Sequence, residues 1–195
     1  MKPSPNFKQW PDAVDGKWKW ELLRWLRYET GVDILVETGT CEGVTPYNLH
    51  DDFREIHTIE MHQGLFENAQ ERLRNFPNVH QYLGSSKEAL EKVLLWHVPK
   101  GPVMFWLDAH SSGPHTADDG DVLPFEIKTI MRLRPDALIV IDDMHCVDFC
   151  EPDPVTGRTY IEANGLDFSG WQREYRTGEL LIYKEGRYKI PEFEE

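Results

Sequence analysis

The sequence has little of what several protein classes require. Its 195 residues include only three cysteines, Cys41, Cys146 and Cys150, an odd and sparse set that excludes a disulfide framework. No apolar run approaches membrane-spanning length, and the opening stretch MKPSPNFKQWPDAVDGKWKW has no apolar signal core. No N-x-S/T acceptor occurs. Basic residues are scarce, with 21 Lys plus Arg against 34 Asp plus Glu and a net charge of −13. That balance argues against a protein that tracks nucleic-acid phosphates or binds an anionic membrane surface. The expectation is a cytoplasmic protein with no nucleic-acid and no membrane partner, self-association being left open. Two nucleotide fingerprints are also missing: no G-x-G-x-x-G, and no Gly-Lys-Ser/Thr to complete a Walker A loop.

What is present is a globular composition, 40% hydrophobic and 12% aromatic. The length suits one domain over 1–195, with a lead-in and Trp-rich helix in 1–30 and a core in 31–190. Lys17 to Tyr28 places Trp18, Leu22, Trp25 and Leu26 at helical spacing, and its apolar face is expected to cover a sheet edge or the mouth of a site. Strand-like runs then alternate with helical patterns. Strands are expected at 33–38, 55–60, 79–83, 103–108 and 137–142, and helices at 46–52, 65–76, 87–96 and 125–134. Residues 146–170 are turn-rich, with a short helical possibility at 160–163. The end reads as a hairpin turning at Thr177–Gly178. The fold class predicted is α/β, a Rossmann-like doubly wound, mostly parallel seven-stranded sheet closed by a C-terminal antiparallel hairpin.

Ligands of open parallel sheets bind beyond the carboxyl ends of the strands, and the chemically loaded residues fall there. The first strand ends in VETGTCEG, an E-x-G-x-x-x-G spacing of Glu37, Gly39 and Gly43, whose glycines allow a tight turn and close approach to a ligand. The second ends in Glu60, suited to a ribose diol. The third ends in Gly84, Ser85 and Ser86, small enough to line an adenine slot. The fourth and fifth end in FWLDAH and LIVIDDMH, bringing Asp108, Asp142 and Asp143 to neighbouring tips. Hard oxygen ligands without thiolates favour Mg²⁺ or another hard divalent cation.

This ordered set resembles the class I S-adenosylmethionine-dependent methyltransferases, and the carboxylates resemble the metal sites of the catechol-type and macrolide-sugar-type O-methyltransferases. The resemblance runs from Asp33 to Tyr188. It implies an S-adenosyl-L-methionine site at Glu37, Gly39, Thr40, Gly43, Glu60, Ser85, Ser86 and Asp108, and metal ligation by Asp108, Asp142 and Asp143. The acceptor it implies is a hydroxyl of a small molecule or sugar. His145 then takes the role of base, since imidazole with a reference pKa of about 6.5 accepts a proton near neutrality; His110 is the rival. One departure is the irregular 146–170 segment, where relatives carry a helix that shapes the acceptor pocket. Two other readings stay open. A metallohydrolase would use Asp108, His110, Asp142 and His145 but leave the glycine loop and Glu60 idle, and a non-catalytic cofactor-binding domain would share the scaffold.

Overall fold

The computed structural model describes residues 17–109, 121–142, 156, 158–176 and 179–191. Along these, α1 (Lys17–Thr30) leads into β1 (Ile34–Thr38), α2 (Val44–Leu49), β2 (Glu55–Glu60), α3 (Gln63–Leu73), β3 (Val79–Leu83), α4 (Ser86–Trp96) and β4 (Met104–Leu107). There follow α5 (Leu123–Leu133), β5 (Leu138–Ile141), α6 (Tyr160–Asn164), β6 (Trp171–Arg176) and β7 (Glu179–Lys184). The strands form one sheet in the order β3-β2-β1-β4-β5-β7-β6. β1 to β5 pair in parallel, and β7 runs antiparallel to both β5 and β6. The predicted α/β doubly wound sheet with its antiparallel C-terminal hairpin is the fold observed.

Each element follows from local chemistry. β1, β4 and β5 are buried at every residue, as strands covered on both faces must be, which is why they read as unbroken apolar runs. β3 is the sheet edge and is only half-buried. One face is covered by α4 and α5, where Leu90, Leu94, Ile127 and Ile130 pack on Val36, Phe105 and Ile139. The other is covered by α1, whose Leu22, Leu23, Trp25 and Leu26 meet Leu35, Met104, Trp106 and Val140. The Trp-rich helix therefore lies on a sheet face rather than at its edge. Arg24 fastens it to the second helix through the Asn48 carbonyl (2.6 Å) and to the turn after it through Asp52 Oδ2 (2.7 Å).

Two helices end differently from the sequence expectation. The helix after β2 stops at Leu73, a turn early, because Pro77 disfavours helical backbone at the residue before it and the chain turns ahead of that constraint. The helix after β1 begins at Val44 rather than Pro46, started by Gly43 in the left-handed region (φ 74°), with Pro46 tolerated in the first turn. α6 is one turn closed at both ends, by a Thr159–Glu162 capping box and a left-handed Gly165. Among the described residues no helix is long and apolar enough to cross a membrane.

From β1 the chain winds outward to β2 and β3, then returns to place β4 on the other side of β1. The β1/β4 seam is thus the topological switch point, where the carboxyl ends of the strands open a crevice.

Candidate functional site

The loop from Gly39 to Gly43 sits at that seam. Gly39 has φ 87°, and a Cβ added there would lie 2.5 Å from the carbonyl oxygen of Asp108, so only glycine admits the contact. Backbone bonds tie the loop to the sheet, the N–H groups of Gly39 and Thr40 both donating to the Ile59 carbonyl at 3.0 and 3.2 Å. Glu60 then holds the loop's outer turn. Its Oε2 accepts from the N–H of Cys41 at 2.7 Å and its Oε1 from the N–H of His62 at 2.8 Å. Cys41, exposed, takes φ 50° in consequence. Each Glu60 oxygen retains a further lone pair for a ligand hydroxyl.

Beneath the loop lies Glu37, 1% exposed. Thr58 Oγ1 donates to its Oε2 at 2.5 Å, and Thr40 and Thr58 hydroxyl oxygens are 2.5 Å apart. Thr58 has one proton, so Thr40 donates to Thr58 and Thr58 to Glu37, a relay running from the loop into the core. Burial pushes the Glu37 carboxyl up to about 7, with Thr58 and Thr45 opposing and the Glu60 charge adding to the rise.

A second buried acid stands on the other side of β1. Glu126, in the first turn of α5, is also pushed up to about 7 by burial, with the Ser86 and Thr38 hydroxyls opposing and Asp121 reinforcing. Thr38 Oγ1, Ser86 Oγ and Glu126 Oε1 are each buried without a well-formed hydrogen bond. Groups in that condition cost stability unless something satisfies them. Asp121 next to them accepts from the Leu123 N–H at 3.1 Å and from the Tyr160 hydroxyl; burial and that carboxylate push the Tyr160 phenol up.

At the far tips, Asp108 N–H donates to the Thr38 carbonyl (3.0 Å) and Asp142 N–H to the Leu107 carbonyl (3.1 Å). The two carboxylates therefore leave adjacent parallel strands one residue past the β4–β5 register pair Leu107 and Ile141. Asp142 is fully buried, and Lys19 Nζ on α1 lies 2.5 Å from its Oδ2. The same ammonium stands 6.0 Å from the Trp106 ring centroid and 5.8 Å from that of Trp18, within cation–π reach.

The structure thus brings Glu37, Gly39, Thr40, Gly43, Glu60, Ser86, Asp108 and Asp142 to one end of the sheet. Ser85 lies there too, as the N-cap of α4, its Oγ accepting from the Lys87 N–H at 3.3 Å. Asp143, His110, His145, Cys146 and Cys150 lie outside the described residues, as does the Thr177–Gly178 turn. Three participants escaped the sequence reading. Glu126 was legible, because it falls on the apolar stripe Leu123, Ile127, Ile130 where an acid is out of place. Thr58 is a β-branched strand residue like any other, and Lys19 on a Trp-rich helix carries no signal of its partner 123 positions away. A cavity of about 390 Å³ runs from Gly84 down between β3 and α4 past Tyr82 to His97. It lies beside the sheet edge, and the acids rather than this cavity mark the switch-point crevice.

No protein-family model matches the sequence, and no curated protein does. Solved structures match in fold. The O-methyltransferase TomG from Streptomyces achromogenes, involved in tomaymycin synthesis and seen in complex with SAM, is 21% identical over 95% of this chain and 88% of its own, with a TM-score of 0.60. SAH-bound methyltransferase PaMTH1 from Podospora anserina is 15% identical, covering 91% of this chain and 83% of its own, with a TM-score of 0.63. The 23S rRNA methyltransferase ErmE is 11% identical over 88% of this chain and 70% of its own, at 0.56. At these identities the likeness is one of fold: the chain has the Rossmann-like methyltransferase architecture.

Proposed function

We propose that this chain is an S-adenosylmethionine-dependent, divalent-metal-assisted O-methyltransferase acting on a hydroxyl of a small molecule or sugar. The observation that carries the reading is the Gly39–Gly43 loop at the switch point, pinned by Glu60 and underlain by buried Glu37. A metallohydrolase has no use for that construction. The residues fit the cofactor: Glu60 keeps free lone pairs for a ribose diol. Glu60 and Asp142 supply the negative charge that a sulfonium and an ammonium call for.

The bound sulfonium supplies an activated methyl group. The chain's own contribution is positioning: the loop fixes the donor, and the strand tips hold the acceptor oxygen in line with it. Asp108, Asp142 and Asp143 would hold a hard divalent cation, which acidifies a hydroxyl. His145, or His110, would take the proton. The domain 1–195 is proposed to act as one unit.

The exclusion of nucleic acid expected from charge is not part of the proposal, because an rRNA methyltransferase is among the proteins of similar fold. A second reading rests on Lys19. Its ammonium on Asp142 favours methyl transfer without a metal, the lysine providing the positive charge at the β5 tip. Calorimetric titration of S-adenosylmethionine with Mg²⁺ and with EDTA, followed by a hydroxyl-acceptor panel, tests both. Turnover that needs Mg²⁺ and is abolished in Asp143→Ala with cofactor binding intact supports the first; EDTA-insensitive turnover supports the second. Absence of cofactor binding in either buffer overturns both.

A further inference from the structure

At the opposite end of the sheet, on the β2–β3 edge, lies a cluster unrelated to the crevice. Glu55 and His57 are two residues apart on β2 and so share a face. His80 on β3 is the register partner of His57. One ligand atom from each, a carboxylate oxygen and two imidazole nitrogens, lies within 4.8 Å of the others. We propose that Glu55, His57 and His80 bind a first-row divalent transition metal of the zinc class, which staples edge strand β3 to β2 and keeps one coordination position open to water.

The Glu55–His57 spacing favours an ion over a plain ion pair, and the exposed His80 ring, stacked on His57 at 4.9 Å, completes the site by turning a nitrogen toward it. His57 Nε2 and Glu55 Oε2 are 3.4 Å apart, well beyond the roughly 2.7–2.9 Å of a charge-assisted hydrogen bond. That separation is the edge of a tetrahedron with metal–ligand bonds of about 2.0–2.1 Å. Both inner ligands are oriented from behind. His57 Nδ1 lies 3.0 Å from the Tyr82 hydroxyl, which turns Nε2 toward Glu55. Glu55 Oε1 accepts from Arg54 Nη1, and Arg54 Nε donates to Asp33 Oδ2 at 3.1 Å, leaving Oε2 toward the histidine. Metal-ligating groups are held by such partners, and changing one costs about 10–100-fold in affinity. His57 is buried and His80 exposed, so the cluster has a fixed inner wall and an entry from solvent. Two imidazoles and one carboxylate prefer zinc-class ions to Mg²⁺, unlike the aspartates at the strand tips. The cluster lies about 10 Å or more from Glu60, three to five strand residues away, and rests on no reading of the cofactor site.

Titration of the EDTA-stripped full chain with Co²⁺ in excess Mg²⁺ tests the site through its visible absorption, with Zn²⁺ as competitor. One Co²⁺ per chain is expected, displaced by Zn²⁺, unaffected by Asp108→Asn and weakened about 100-fold or more in His80→Ala, an exposed position where folding is not at risk. Tyr82→Phe is expected to weaken it about 10–100-fold. Wild type that takes up no Co²⁺, or a His80→Ala curve that overlays wild type, overturns the proposal. So does a band lost in Asp108→Asn instead.

Discussion

Lys19 Nζ lies 2.5 Å from Oδ2 of Asp142, joining the first turns of the N-terminal helix to the carboxyl tip of the fifth strand. Asp142 is wholly buried and Lys19 is 24% exposed, so the carboxylate depends on the lysine more than the reverse. Removal of one partner from a buried pair costs about 3–5 kcal/mol. Partial exposure of Lys19 lowers the expected loss for Lys19→Ala to about 2–3 kcal/mol. A divalent cation recruited to the carboxylate that has lost its lysine is expected to restore part of it. Urea denaturation of Lys19→Ala with and without Mg²⁺ measures both effects, and a mutant as stable as wild type rules out the pairing.

Gly39→Ala places a Cβ 2.5 Å from the Asp108 carbonyl oxygen on backbone at φ 87°. Left-handed strain and overpacking each cost about 1–3 kcal/mol. A loss of about 3 kcal/mol is expected, together with loss of S-adenosylmethionine binding. Thermal unfolding and calorimetry check the two separately, and full retention of binding would detach the loop from the cofactor.

Glu60→Gln replaces one carboxylate oxygen by an amide NH₂ that must face either the Cys41 or the His62 N–H. Hydrogen bonds to a charged group contribute about 1.5–3 kcal/mol, so cofactor affinity is expected to fall about 10- to 100-fold while the sheet stays folded. Titration of the variant, with circular dichroism to verify the fold, checks this.

Glu37 and Glu126 carry carboxyls raised by burial from the ordinary 4.5 to about 7. The folded chain therefore binds more protons than the unfolded chain between those values, and stability falls as pH rises from 4.5 through 7. Each group contributes a slope of at most about 1.4 kcal/mol per pH unit. Glu126→Gln is expected to match wild type near pH 5 and exceed it at pH 8. Guanidinium unfolding at pH 5, 6, 7 and 8 reads the slope; parallel curves for the two proteins reject the shifted carboxyl.

The fold was legible because its signals are local. β2 and β3 have the bounds the sequence suggests, since β-branched and apolar runs end at Glu60 and before Gly84 where turn residues begin. The five parallel strands need no long-range information to be recognised as strands. The crevice was legible for the same reason, as strand tips concentrate its acids and glycines. What escaped depends on tertiary pairing: Lys19 with Asp142 across 123 positions, Thr58 relaying to Glu37, and His57 meeting His80 through strand register. Register and helix placement decide such meetings, and neither is written in any short stretch of sequence.

The contact of Gly39 with the Asp108 backbone bears on how such a protein can be recombined. The strand carrying the glycine loop and the strand carrying Asp108 meet with no side chain between them, so the two tips are a single mould rather than interchangeable modules. A chimera that imports a foreign segment must keep the chain path through Asp108 and Ala109 and make its junction after them. A junction placed before Asp108 swaps half of that mould for a surface its glycine partner was never shaped to meet.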